Sequence, residues 1–249
     1  MQYSANHSVS GGVFVMLLLS LILLKTVSAS TLQIDSTETS IDQFKEFSDA
    51  TGFISTAEKQ GGRVYEVGWV VKMGWNWRNP YGVKGELNEP AVHITFDEAK
   101  AYCEWRGKRL PTRLEWIHLA YTEQRLSPPK PFIRGKTYRY PTGSSSKGAN
   151  CLNECDAESL LKYKKEDNSS VLLRGFGHSH VGVTKQGVNG LSDMGANVWE
   201  WAKIEDGGNK QAIMGGSWWY GARQMQADYN ALKTRDMAAV YIGFRCIKD

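Results

Sequence analysis

This sequence lacks most of the marks by which a function is read at sight. Across 249 residues the formal net charge is only +4, from 30 basic and 26 acidic side chains, with no block of one sign. The basic stripe of a nucleic-acid binder is therefore missing, and no nucleic-acid partner is expected. Cysteines number four, none in a C-x-x-C pair, and no histidine stands at zinc-finger spacing, which argues against a structural zinc site. There is no G-x-S-x-G elbow, no phosphate-cradling glycine loop and no legible Ser-His-Asp order. The one long apolar run, from Val13 to Leu24, falls short of the roughly 20 residues that span a bilayer. Val27 and Ala29 put small residues at the −3 and −1 positions of a cleavage site, so residues 1–29 read as a signal peptide cleaved after Ala29, although Lys25 follows the run and no Lys or Arg precedes it. Contact with a membrane is expected only through this segment, if uncleaved. The domain over residues 30–249 is placed in the periplasm or outside the cell, where disulfides persist.

What is present is aromatic. Nine Trp, eleven Tyr and eight Phe accompany 25 Gly, against 41% hydrophobic and 22% charged residues. That composition suggests a soluble, loop-rich fold held by aromatic packing. Ser40 with Gln43, Thr95 with Glu98 and Thr112 with Glu115 are capping boxes that predict three helix starts. Ile41, Phe44 and Phe47 share the inner face of the first helix, which Gly52 ends; Phe96, Ala99, Tyr102 and Cys103 share that of the second, closed by Gly107. Strands are predicted over Glu66–Lys72, Ala91–Ile94, from Ile213 into a turn, and over Tyr241–Cys246, the last inside a sheet. Pro128 to Gly190 is read as long loops with a charge cluster at Lys162–Asp167 and a glycosylation sequon at Asn168-Ser169-Ser170.

The four cysteines allow three pairings. Cys103–Cys246 is the economical long-range staple, which leaves Cys151 and Cys155 as a local pair or two free thiols. Glu200, between Trp199 and Trp201, is the most informative carboxylate, since a charge taken from water needs a partner. That partner is either Arg245 or a calcium ion shared with Asp193. His178 and His180 form an H-x-H without a third ligand nearby in sequence, so they read as a polar loop; His93, alternating with Val92 and Ile94, is expected to face outward. Trp218-Trp219-Tyr220 is either ordinary core or a ligand-facing patch.

Several motifs occur together and in order: Pro90-Ala91-Val92-His93-Ile94-Thr95, Lys108-Arg109-Leu110-Pro111-Thr112 with Glu115-Trp116, Asn197-Val198-Trp199-Glu200-Trp201, Gly215-Gly216-Ser217 and Gly243-Phe244-Arg245-Cys246. In these the chain resembles the formylglycine-generating enzyme (sulfatase-modifying factor) superfamily over residues 32–249. The resemblance implies an α+β fold of the formylglycine-generating-enzyme type, related to C-type lectin folds, loop-rich with few short helices. It also supports the Cys103–Cys246 disulfide. It implies a structural calcium held by the Asp193 and Glu200 side chains and the Ala196 and Val198 carbonyls, and a ligand groove at Ser217, Trp218, Trp219 and Tyr220. Ala196 replaces a family glycine and would be strained at φ > 0. For a second calcium site Asn150 aligns with one ligand, while an expected Asp falls at Arg174. The aerobic enzymes of the family oxidise a substrate cysteine with copper held by two thiolates, and those positions are Tyr220 and Met225 here. Soft thiolates select Cu(I), and a phenol with a thioether does not replace them, so no catalytic residue is assigned and copper is not expected. The expectation is a binding or accessory protein with an unknown peptide, glycan or protein ligand. The alternative is an oxidoreductase of the same superfamily with non-copper chemistry, or a formylglycine-generating oxidase using other ligands.

Overall fold

A computed structural model describes residues 1–2, 33–157, 160 and 177–249. The chain divides into two units, Met1–Thr31 and Leu32–Asp249, and the architecture below is that of the second. The signal segment, the Lys162–Asp167 cluster, the Asn168 sequon and Arg174 lie outside the described residues.

Each predicted helix begins where its capping box places it. α1 (Ile41–Thr51) is capped by Ser40 and ends at Gly52, whose φ of 69° is the left-handed turn that glycine adopts without a Cβ penalty. A fourth box, Ser55 with Glu58, opens the five-residue α2 (Thr56–Gln60), which the sequence reading passed over. α3 (Phe96–Trp105) and α4 (Arg113–Tyr121) follow, capped by Thr95 and Thr112. β1 (Gln33–Ile34) pairs antiparallel with β8 (Ile247–Lys248), so the first and last described strands of this unit meet. β2 (Gly62–Tyr65) and β3 (Trp69–Lys72) form a hairpin. The expected Glu66–Lys72 strand is thus a turn followed by a strand, because the Glu66 N–H bonds back to the Gly68 carbonyl.

The principal sheet has the order β6 (Ala231–Thr234), β5 (Lys210–Met214), β4 (Trp199–Ala202), β7 (Ile242–Gly243). Its pairs are antiparallel except β4 with β7, which run parallel. The expected Tyr241–Cys246 strand is therefore reduced to β7, with β8 following just beyond it, and β7 lies at the sheet edge rather than inside. It is nonetheless fully buried, covered by the segment around Ala91. The core centres on Phe44, which meets Phe47, Trp77, Tyr102 and Phe244 at ring centroid distances of 5.1 to 6.1 Å. Such pairs add about 0.5–1.5 kcal/mol each beyond their area. Cys103 on α3 is joined to Cys246 beside β8, which fastens the helix to the chain terminus across 143 residues.

The segment Ala91–Ile94 is not a strand, and His93 does not face outward. At φ 58° the chain turns left-handed and carries the imidazole inward, fully buried, with Nε2 2.9 Å from the Pro80 carbonyl and Nδ1 without a partner among the described residues. Burial drives its pKa down from 6.5 to about 4. The unfolded chain then binds more protons than the folded one between those values, so stability falls as pH drops through that window. Urea unfolding is expected to show a loss on the order of 3 kcal/mol from this group between pH 6.5 and 4. In His93→Asn, a residue that tolerates positive φ, the slope over that window should flatten; an unchanged slope would assign the effect to other groups.

Candidate functional site

Glu200 sits at the centre of β4, buried on both faces. Its oxygens accept from Arg245 Nη2 at 2.7 Å and Arg245 Nε at 2.8 Å, and Trp116 Nε1 adds a third bond at 2.8 Å. Arg245 also donates to the Ser192 carbonyl at 2.8 Å and the Asp35 carbonyl at 3.0 Å. Four of the guanidinium's donor directions are thereby used in a site without solvent, the geometry a buried ion pair needs to offset its desolvation. Asp193 lies nearby at φ 63°, accepting from Gly182 N at 2.6 Å and Thr184 Oγ1 at 2.7 Å. The sequence reading missed a third buried carboxylate, Glu38, which accepts from Val198 N at 2.9 Å and Asn197 Nδ2 at 2.6 Å. Nothing local flagged it, because its partners are some 160 residues away. Burial first, then the charges of Asp193 and Glu200, raise the Glu38 pKa well above the usual carboxylate value; burial also raises that of Asp193.

Of the four residues expected to hold calcium, Asp193 and Glu200 each have both oxygens engaged by protein donors, and Arg245 supplies the positive charge at Glu200. As arranged, this donor set does not fit a calcium ion. Ala196 does adopt the strained conformation anticipated for it, at φ 63°, followed by Asn197 at 58°. At Gly195, one place earlier, a Cβ would stand 2.8 Å from Met225 Cε, so a side chain there would require the Met225 tip to move. Asn197 then organises the neighbourhood: its Oδ1 accepts from Asn150 Nδ2 at 3.0 Å, Ser179 N at 2.8 Å and Ser179 Oγ at 3.1 Å.

The segment after β5 places the expected groove. Gly215 and Gly216, at φ 90° and 82°, turn the chain so that Ser217 and Trp218 enter the interior. Trp218 packs on Tyr81 and Trp219 at 6.2 and 5.2 Å, and Trp219 reaches Tyr241 at 6.2 Å. Ser217, Trp218 and Trp219 are thus core rather than an open groove; only Tyr220 is half-buried, packed against Trp199 and Tyr241. Both faces of this short stretch are covered, which is how three bulky residues in a row can be accommodated.

Met225 ends the 3₁₀ turn Ala222–Met225 and is fully buried. Its Sδ lies 3.6 Å from Cys155 Sγ, and Cys155 is bonded to Cys151. The 151–155 loop is fixed against this segment by Leu152 N to the Tyr220 carbonyl at 2.9 Å and by Ala222 N to Glu154 Oε2 at 2.8 Å. The pair left open in the sequence as local disulfide or free thiols is therefore a disulfide, and it abuts the two positions where the family's copper thiolates are expected. A phenol, a buried thioether and an oxidised pair do not fit copper.

The H-x-H residues find partners that sequence distance concealed. His178 is buried with Nε2 2.8 Å from Glu89 Oε2, and His180 Nε2 is 2.9 Å from Glu86 Oε2.

Removing the Arg245 guanidinium from among these buried carboxylates tests the arrangement. Arg245→Met should lose about 3–5 kcal/mol in chemical unfolding, the cost of a buried charge left without its partner. A loss under 1 kcal/mol would show that water reaches Glu200.

Comparison with known proteins places the chain by family and fold. The sulfatase-modifying factor enzyme 1-like domain model matches residues 4–249. The inactive C-alpha-formylglycine-generating enzyme 2 of Bos taurus is 28% identical over 182 residues, covering 68% of this chain and 55% of the relative, so the chain spans about half the length of that protein. The formylglycine-generating enzyme of Mycobacterium tuberculosis is 25% identical over 266 residues, covering 83% and 84%. Among solved structures, PvdO from Pseudomonas aeruginosa superposes with a TM-score of 0.58 at 20% identity, over 88% of this chain and 80% of that one; CarF gives 0.56 at 16%, over 87% and 85%. Motifs, fold and family model coincide, and the chain belongs to the sulfatase-modifying factor enzyme 1-like domain family.

Proposed function

We propose that this chain is an exported, non-catalytic member of its family that acts as a binding or accessory protein. The observation that carries the reading is the pair Tyr220 and Met225, a phenol and a buried thioether where copper-binding thiolates are expected. The similarity to a relative named as inactive supports it. Export is supported by two disulfides, Cys103–Cys246 and Cys151–Cys155; among the described residues no helix is long and apolar enough to cross a membrane. The surface offered to a peptide, glycan or protein ligand lies over the buried ring of Tyr241. Around its ring lie half-buried Tyr220 at 5.8 Å and exposed Trp69 at 5.9 Å, with exposed Tyr65 5.5 Å from Trp69. The hairpin bearing them also exposes Val71, an apolar rim of the kind that marks binding surfaces.

One contact favours a second reading, an oxidase with other ligands. Cys155 Sγ lies beside Met225 Sδ. A dithiol reductant, itself oxidised to a disulfide, would convert Cys151–Cys155 to two thiols next to a thioether, a soft donor set.

A single experiment separates the two. The full chain, with and without dithiol pretreatment, is supplied with Cu(I), oxygen and a Cys-x-Pro-x-Arg peptide, and aldehyde is measured by mass spectrometry. The binding role predicts no aldehyde in either arm. Aldehyde only after reduction, abolished in Met225→Leu, would overturn it in favour of the second reading.

A further inference from the structure

We infer that Glu86, Glu89 and His180 form a site for a first-row divalent cation of the zinc or manganese class. One ligand atom from each lies within 4.8 Å of the other two. Imidazole nitrogen with two carboxylate oxygens is a donor set such ions take. Tetrahedral ligand atoms at about 2.1 Å from zinc stand about 3.4 Å apart, so side-chain adjustments alone would complete the site.

The backbone holds the two halves together independently of any ion. Glu86 and Glu89 face each other across a turn closed by Glu89 N to the Glu86 carbonyl at 3.1 Å and by Glu86 N to Glu89 Oε1 at 2.8 Å. Glu89 Oε2 also accepts from His178, and its second lone pair is the one an ion would take. That turn is pinned to the start of α1 by Ile41 N to the Glu89 carbonyl and Asp42 N to the Leu87 carbonyl, at 2.8 and 2.9 Å. Val181 N bonds the Asn88 carbonyl at 2.9 Å, which brings the His180 segment onto the same turn. The donors thus sit on and beside a surface turn fastened to α1 by backbone bonds, which holds them in place.

Neighbouring groups orient the donors. Asn88 Nδ2 lies 3.0 Å from His180 Nδ1; metal binding through Nε2 calls for the reversed amide. With its amide oxygen turned to Nδ1–H, the two amide ends being interchangeable in shape, His180 presents Nε2 to the ion, the usual support for a metal-bound imidazole. His178 plays the matching part for Glu89. The Tyr81 hydroxyl accepts from His178 N at 2.8 Å and stands 3.0 Å from Nδ1, which places the ring proton on Nε2, 2.8 Å from Glu89 Oε2. The burial gradient also fits: Glu89 is 1% and the His180 side chain 17% exposed, while the Glu86 side chain is 59% exposed. An ion would enter from the Glu86 side and keep a water-facing position, the arrangement of an open rather than a closed site.

Zinc chloride titrated into the full chain against a chromophoric chelator tests this, with manganese chloride in parallel. The expected result is one equivalent of zinc or manganese bound, with affinity falling 10- to 100-fold or more in Glu86→Gln and in His180→Asn, about tenfold in Asn88→Ala, and unchanged in the control His118→Gln on exposed helix surface. Circular dichroism confirms that each variant is folded. Absence of stoichiometric binding by the wild-type chain, or binding retained in the Glu86→Gln/His180→Asn double variant, would overturn the assignment.

Discussion

The buried ion pair between Glu200 and Arg245 is the constraint around which this domain is organised. A carboxylate in the middle of a strand buried on both faces is untenable unless its charge is met, and Arg245 meets it with two charge-assisted bonds. The same guanidinium holds the Asp35 and Ser192 carbonyls, while Trp116 reaches the carboxylate from α4. One polar contact thus joins the opening segment, α4, the central strand and the chain terminus. The next residue, Cys246, is covalently tied to α3. Loops can therefore be long and irregular here without loss of definition, since the points they connect are fixed by charge and sulfur rather than by extended secondary structure.

Aromatic packing fills the space this frame defines, and in doing so decides what remains accessible. Trp218 and Trp219 are drawn inward by the double-glycine turn, and Trp69 is left outside on a hairpin, packed at a tilt against Tyr241. The exposed aromatic surface here is consequently carried by the β2–β3 hairpin and by half-buried Tyr220, not by the tryptophan pair. Burial of the pair leaves the indole Nε1 of Trp218 without a bonding partner among the described residues, an unmet donor that the ring's apolar contacts offset.

What could be read from the sequence was what local chemistry encodes. The capping boxes at Ser40, Thr95 and Thr112 reappear with both reciprocal bonds because donor and acceptor are three residues apart. The Glu200–Arg245 alternative was visible because a tryptophan-flanked carboxylate demands a cation. The errors share one cause, geometry set by tertiary contact. His93 followed an alternating pattern, yet a single left-handed residue turned it inward. Glu38 gave no local sign of burial, and its partners come from the Asn197-Val198 turn. The partners of His178 and His180 were out of sight because Glu89 and Glu86 arrive from some 90 residues upstream. The family motifs recovered the fold that periodicity alone would not have given, because most of the chain between its short elements has no period to read.

The same separation sets positions 220 and 225 apart from the residues that carry the architecture. Positions 220 and 225 do different physical work from the motifs around them. Tyr220 contributes a ring to the cluster at Trp199 and Tyr241, and Met225 fills a buried pocket among Ala149, Cys155, Ala196 and Ala222. A cysteine at position 225 would occupy less of that pocket, and the longer, flexible methionine suits an irregular gap. The Cys151–Cys155 loop closes the gap from the other side. Packing at this spot is thus satisfied by side chains with no capacity to hold a metal as thiolates, while the ion pair, the disulfide to α3 and the double-glycine turn, which carry the architecture, keep the residue types the fold requires. A site whose reactive atoms sit on a short turn outside the frame can lose them at little structural cost, whereas Glu200 or Arg245 cannot be exchanged singly without leaving a buried charge unpaired.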